Sequence, residues 1–304
     1  MSLLALVGPT ACGKTEAGIA VAEQLGAEIV SVDSMLVYRR MDVGTAKPSP
    51  AERARVPHHL LDVAEPGETF SVARFQALAR DAVAGIDGRG HRPLLVGGSG
   101  LYFRAVVDGL YFPGTDPQVR RELEREAVAV GAGPLHERLR SFDPAAAVKI
   151  EPANVRRTVR ALEVAAVTGR PFSSYAEAWE EFPAGRVRAA GIDMDPAVLR
   201  ARIERRVRDM VEAGFVAEVR ALVADGLGPS LTASQAIGYA EMVHHLAGRI
   251  GLEEAVAGTV KRTRALARRQ MAWFRRDPRI RWFPVGPEGA MAAVEDLVEY
   301  YGDA

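Results

Sequence analysis

Gly8-Pro-Thr-Ala-Cys-Gly-Lys-Thr15 follows directly on the apolar run Ser2-Leu-Leu-Ala-Leu-Val7 and precedes a stretch of helical period from Glu16 to Leu25. A buried strand, a glycine-rich turn of the form G-x-x-x-x-G-K-S/T and a helix start, in that order, make a phosphate loop. The loop's backbone N–H groups converge on phosphate oxygens. Lys14 adds a cation, and Thr15 a hydroxyl for Mg²⁺. A di- or triphosphate ligand is expected, on a strand–loop–helix unit of an α/β fold. The loop alone does not decide whether the phosphates are a fuel, a donor or a leaving group.

Working outward, the apolar runs Leu3–Val7, Glu28–Val32, Pro93–Val96, Val187–Met194 and Arg281–Val285 read as buried strands. Segments of helical period such as Glu16–Leu25 and Phe70–Ile86 lie between them. This alternation predicts a parallel sheet with helices on both faces, of the phosphate-loop kinase type. Ligands bind such sheets beyond the carboxyl ends of the strands. The ends that stand out are the phosphate loop, Asp33-Ser34 and Gly97-Gly98-Ser99-Gly100.

Residues 113–185 offer no convincing strand. They contain the helical candidates Pro117–Val130, Pro134–Phe142 and Ala153–Val167, separated by turn signals, and read as a helical insertion. The insertion interrupts a core made of residues 1–112 and 186–304. Beyond it, Asp195-Pro196 opens a long helix, Val198–Glu212, which Gly214 ends; a last long helix is expected over Glu253–Arg276.

The chain has 304 residues, 48% hydrophobic and 26% charged, the balance of a soluble globular protein. No apolar run approaches the roughly 20 residues that span a bilayer, so no membrane partner is expected. With a strand so early in the sequence, no signal peptide is expected. The single cysteine, Cys12, excludes an intrachain disulfide and fits a reducing cytosol. The net charge of zero says nothing about nucleic acid, but its distribution does. Between Lys261 and Arg281 stand nine Lys or Arg residues against one acid, Asp277, which predicts a strongly positive face.

Asp33, at the end of the second strand, is placed to hold Mg²⁺ through water or to act as a general base; a turn or cap aspartate is the plainer reading. The strand Leu94-Leu-Val96 ends in glycines rather than in the aspartate that ATPases of this class use for Mg²⁺. Ordinary ATP hydrolysis is therefore disfavoured. Those glycines either let a substrate approach the backbone or make a tight turn. Arg202 and Arg206 share a helix face and suit a pyrophosphate clamp, although such arginines are commonly solvated. Gln270, Trp273, Phe274 and Trp282 interleave with the basic run. They suit either a nucleic acid or, for the aromatics, the core stripe of an amphipathic helix. His58-His59 and His244-His245 have no metal-site spacing. Cys12 lies inside the loop, where backbone does the work.

These residues converge on a family. The chain resembles the tRNA dimethylallyltransferases, also called tRNA isopentenyltransferases. The likeness runs through Gly8–Thr15, Ser31–Ser34, Tyr38–Pro48, Pro57–Asp62, Leu95–Tyr102, Arg160–Val164, Gly214–Val219, Ala236–Tyr239 and Arg268–Arg275. The Met41–Pro48 and Arg268–Arg275 segments are far more specific than the phosphate loop. The resemblance implies transfer of a dimethylallyl group from dimethylallyl diphosphate to N6 of the adenosine 3′ of the tRNA anticodon, releasing pyrophosphate. It makes Asp33 the base, with Lys14 and Thr15 catalytic beside Mg²⁺ held by Thr15. The diphosphate would be held by Gly8, Pro9, Thr10, Ala11, Cys12, Gly13, Lys14, Thr15 and Arg206. tRNA contacts fall on Asp33, Ser34, Met35, Leu36, Ser99, Arg121, Arg156, Arg157, Thr158, Val159, Arg160, Gln235, Ala236, Ile237, Gly238, Tyr239 and Ala240. The insertion would grip the anticodon stem-loop, and the enzyme would act as a cytoplasmic monomer. Cys12 stands where Ser or Thr is common, and Ser99 where Thr is common; both keep the backbone or hydroxyl those roles need.

The chemistry agrees with that implication. An allylic diphosphate ionises readily, and a phosphate loop, a lysine and Mg²⁺ neutralise the pyrophosphate that leaves. No phosphoryl group moves, so the missing aspartate on the third strand is no longer a puzzle. A small-molecule kinase, a nucleotide-switched RNA-binding protein and a prenyltransferase acting on free AMP or ADP are the alternatives. The kinase and the free-nucleotide enzyme leave the basic helix without a purpose.

Overall fold

The computed structural model describes residues 3–175, 180–228 and 232–302. Ser2 of the first apolar run and residues 176–179 of the expected insertion lie outside them. The core is a six-stranded, all-parallel sheet in the order β3-β2-β4-β1-β5-β6. The strands are β1 (Leu3–Val7), β2 (Ala27–Ser31), β3 (His58–His59), β4 (Arg92–Gly97), β5 (Val187–Met194) and β6 (Ile280–Val285). β1 is central, with Leu4 opposite Leu94 on β4 and Arg188 on β5. Its residues Leu4 to Val7 are fully buried, as a strand covered on both faces requires. The five expected strands are present: Leu3–Val7 and Val187–Met194 have the expected bounds, and the ends of the other three are shifted. β3 is only two residues long, too short to carry a period.

Helices cover both faces of this sheet: α1 (Lys14–Leu25), α2 (Pro50–Arg55), α3 (Val72–Gly88) and α4 (Gly100–Val107) come before residue 110. Among the described residues α5 (Pro117–Val130), α6 (Ala132–Phe142), α7 (Pro144–Lys149) and α8 (Val155–Thr168) follow. Then come α9 (Pro196–Glu212), α10 (Phe215–Ala224), α11 (Tyr239–Leu246), α12 (Leu252–Phe274) and α13 (Val294–Gly302). Local chemistry sets several starts. Asp116-Pro117, Asp143-Pro144 and Asp195-Pro196 each place an aspartate N-cap before a proline at the first helical position, and each carboxylate accepts backbone N–H groups. α2, unforeseen because it is short, begins with a capping box between Ser49 and Glu52.

The chain forms two compact units, one of Met1–Gly109 with Pro183–Ala304, the other Leu110–Phe182. The second is all helical where described. Its core gathers Leu123, Leu135, Leu139, Ile150, Val159 and Leu162. Inside it the fully buried Glu163 carboxylate accepts the Asp116 N–H at 3.0 Å, Arg120 at 2.6 Å and Arg160 at 2.8 Å. A buried charge in this position needs that many partners.

Candidate active site

The loop after β1 is held from outside, which leaves its inner face free. Arg202 on α9 donates from Nε to the Ala11 carbonyl at 2.9 Å and from a terminal nitrogen to the Pro287 carbonyl at 2.7 Å. The Ala290 N–H reaches the Cys12 carbonyl at 3.0 Å, and the Lys14 ammonium reaches the Pro9 carbonyl at 3.1 Å. Ala11 and Gly13 take left-handed φ values of 67° and 91°, which turn consecutive amides to one side. Gly13 then caps α1. The N–H groups of Gly13, Lys14 and Thr15 donate to no described residue. Open amides at a helix N-terminus form an anion cradle.

Three charged groups face one another there. Burial pushes the Lys14 ammonium below its ordinary value; Cys12 and Asp33 oppose that shift and Arg206 adds to it. Arg206 is likewise lowered by burial, with Asp33 opposing. Two half-buried cations beside one carboxylate leave a surplus of positive charge for an anion to neutralise. The helix-face pair separates by role. Arg202 is committed to loop carbonyls, whereas Arg206 has only a 3.4 Å approach to the Thr45 carbonyl.

Asp33 is half-buried, and its Oδ1 accepts the Met35 N–H at 2.8 Å. It is thus a turn aspartate as well as a member of the charged cluster, and its other oxygen makes no hydrogen bond to a described residue. The glycines after β4 serve packing rather than substrate approach. A Cβ at Gly97 would lie 2.4 Å from the Val32 carbonyl oxygen, one at Gly98 2.4 Å from the Gln270 amide nitrogen, and one at Gly100 2.2 Å from the Trp273 ring. α12 is pressed against this turn, and Ser99 stays half-buried beside it.

The remaining expected contacts divide by exposure. Ser34, Met35, Leu36, Ile237 and Ala240 are half-buried, and Gln235, Arg121, Arg156 and Arg157 are exposed. Thr158, Val159, Ala236, Gly238 and Tyr239 are buried and have no side chain at the surface. Arg160 gives its guanidinium to Glu163 and to the carbonyls of Pro113 and Gly114. Tyr239 belongs instead to a packing unit that ties distant segments together. Its hydroxyl donates to Glu218 on α10 at 2.6 Å, and the same carboxylate accepts the N–H groups of Asp42, Val43 and Gly44. A Cβ at Gly44 would meet the Phe215 ring at 2.1 Å. The segments 41–48, 214–219 and 236–239 therefore form one structural joint, and Glu218 is a residue that sequence reasoning missed.

The basic run is less uniform than its sequence. Arg262, Arg264 and Arg275 pair with Glu241, Glu204 and Asp193 from other elements. Arg279 is 8% exposed and bound to Asp277 and Asp108. Lys261, Arg268, Arg269 and Arg276 are exposed without an ion-pair partner among the described residues. The positive face is real but smaller than nine charges, because acids far away in sequence fold against it. Phe274 is fully buried and Trp273 half-buried, so these aromatics are core.

A family model described as IPP transferase matches residues 36–277, and one described as isopentenyl transferase matches residues 1–63. The chain is 52% identical over 295 residues to a tRNA dimethylallyltransferase of Kineococcus radiotolerans, covering 95% of this chain and 92% of that one. With the tRNA dimethylallyltransferase of Salinispora arenicola it shares 51% identity over 291 residues, covering 96% and 84%. Among solved structures it is similar to the full-length tRNA isopentenylpyrophosphate transferase of Bacillus halodurans, with a TM-score of 0.72 and 39% identity over 99% of this chain and 96% of that one.

Proposed function

The chain belongs to the tRNA dimethylallyltransferases, and from that premise we propose that it moves a dimethylallyl group from dimethylallyl diphosphate to N6 of the adenosine 3′ of the anticodon in tRNA. One observation carries the reading: the loop leaves the amides of Gly13–Thr15 open, and its Lys14, together with Arg206, feels the charge of the Asp33 carboxylate. An anion cradle beside a base is what displacement of pyrophosphate by a weak amine nucleophile requires.

In this reaction the bond between the allylic carbon and the diphosphate oxygen breaks, and the bond from that carbon to N6 forms. The proton lost by N6 passes to the free oxygen of Asp33. The open amides of Gly13, Lys14 and Thr15, with the Lys14 ammonium and the Arg206 guanidinium, take up the charge that grows on the departing pyrophosphate. Thr15 would hold Mg²⁺. A single hydroxyl fits an ion that keeps waters and phosphate oxygens as its other ligands. No group of three metal-ligating side chains is present among the described residues, so a dedicated protein cage is not what this site offers. When bound, the ion adds positive charge at the leaving group.

Arg268, Arg269, Lys261 and Arg276 supply the exposed charge for the tRNA backbone, and Ser34–Leu36 and Ser99 line the approach to Asp33. Arg121, Arg156 and Arg157 of the helical unit would grip the anticodon stem. We place the reaction on a monomer, in the cytosol where tRNA resides. The test is incubation with dimethylallyl diphosphate, Mg²⁺ and unmodified tRNA, with a prenyl mass gain expected on one adenosine. Asp33→Ala should lower turnover at least ~10²-fold while tRNA still binds; full activity in that variant would remove Asp33 as the base.

A further inference from the structure

We propose that Gln270 is a positioning residue, one that sets the phosphate loop in its diphosphate-binding shape from the basic helix α12. The inference rests on the reading of Gly8–Thr15 as a diphosphate cradle and adds a residue to it. Gln270 lies 260 positions along the chain from Thr10, yet its Oε1 accepts the Thr10 N–H at 2.9 Å. Gln270 is 9% exposed, so water competes little for its end of the bond.

The orientation of the carboxamide is determined by chemistry. Thr10 offers a donor, so the oxygen must face the loop and the amide nitrogen must face the other way. That nitrogen lies against Gly98, at the point where any side chain would come within 2.4 Å of it, and the Gly8 carbonyl borders the same point at 3.2 Å. Gln270 is thus wedged between the two glycine turns that end β1 and β4. Trp273, one helical turn further along α12, fills the space over Gly100 in the same way.

Two consequences follow for the reaction. The loop is organised before the diphosphate arrives, so binding does not have to order it. The anchor is also neutral. A carboxylate in this place would accept the Thr10 N–H equally well but would set a negative charge beside the cradle. Glutamine is the side chain of this length that offers an acceptor without that charge.

The experiment is titration calorimetry of the full chain with Mg²⁺ pyrophosphate and, separately, with unmodified tRNA, on the wild type, Gln270→Met and Gln270→Glu. Methionine keeps length and packing and removes the acceptor. Gln270→Met is expected to bind pyrophosphate about tenfold more weakly, about 1.4 kcal/mol, with tRNA affinity unchanged and KM for dimethylallyl diphosphate raised more than kcat is lowered. Gln270→Glu keeps the acceptor but sets a negative charge beside the cradle, so it too should bind pyrophosphate more weakly than the wild type. Pyrophosphate affinity of Gln270→Met equal to the wild type overturns the proposal, as does an equal loss of tRNA and pyrophosphate affinity. So does a Gln270→Glu variant that binds pyrophosphate as tightly as the wild type. If the wild type itself fails to bind pyrophosphate, the cradle reading falls, which is a separate result.

Discussion

Two loops in this molecule gather backbone N–H groups to receive a negative charge, and they differ in whether that charge is built in. At Asp42–Gly44 the amides converge on the Glu218 carboxylate at 2.9, 2.7 and 3.1 Å, and the Tyr239 hydroxyl completes the set. At Gly13–Thr15 the amides find no described partner, and Lys14 and Arg206 sit beside them with lowered proton affinity. The first loop holds its own anion and is part of the scaffold. The second awaits one, and its spare charge is what an incoming diphosphate relieves. A loop of converging amides is therefore a ligand site only when the protein has not already supplied the anion.

The sharpest way to break that contrast is Lys14→Ala. It should lower kcat/KM for dimethylallyl diphosphate ~10³-fold, yet leave the thermal midpoint within a few degrees, since the removed charge is destabilised in the free protein. Glu218→Ala should do the reverse. Three amides and a buried phenol lose their acceptor, and denaturant titration should show a loss of about 3 kcal/mol. If Glu218→Ala unfolds no more easily than the wild type, the two loops are not different in kind. A charge-reversing pair, Arg268→Glu with Arg269→Glu, tests whether the open loop has a polyanion neighbour. tRNA binding should weaken about tenfold or more and its salt slope should flatten by about 2, with pyrophosphate binding barely moved.

The smallest effect is on pH. Because burial already lowers Lys14 in the free protein and bound diphosphate would raise it again, binding takes up a proton at alkaline pH. Pyrophosphate affinity should fall by a few-fold as pH rises through the lowered free-state value, beginning below the ordinary 10.5. Lys14→Arg should abolish that decline, because arginine stays charged throughout. Affinity that is flat up to pH 10.5 in the wild type would show that Lys14 is not held down by its surroundings.

The sheet was legible because strands buried on both faces are short runs of apolar residues, and Leu3–Val7 and Val187–Met194 appear with the expected bounds. Helix starts at Asp116-Pro117 and Asp195-Pro196 were legible for a local reason as well: a cap and a fixed φ act on their own neighbours. The two-residue β3 and the six-residue α2 were not, since neither is long enough to show a period. At the site, the phosphate loop and Asp33 could be read directly. The partner of Thr10 could not, nor could the fate of the basic run, because Gln270, Glu204, Glu241 and Asp193 are distant in sequence from what they bind.

The sequence by itself determined an α/β chain with a diphosphate-sized cradle after its first strand, a carboxylate after its second and a cationic helix near its end. It could do so because caps, strand runs and the phosphate loop act through neighbours in the chain. Only the tertiary structure decided that the glycines after β4 make room for Gln270 and Trp273 rather than for substrate. It also decided that Arg202 braces the loop while Arg206 faces Asp33, and that Tyr239 serves Glu218. Those outcomes depend on which side chains meet across long sequence separations, and burial, charge pairing and steric exclusion settle that only once the sheet has brought its strand ends together.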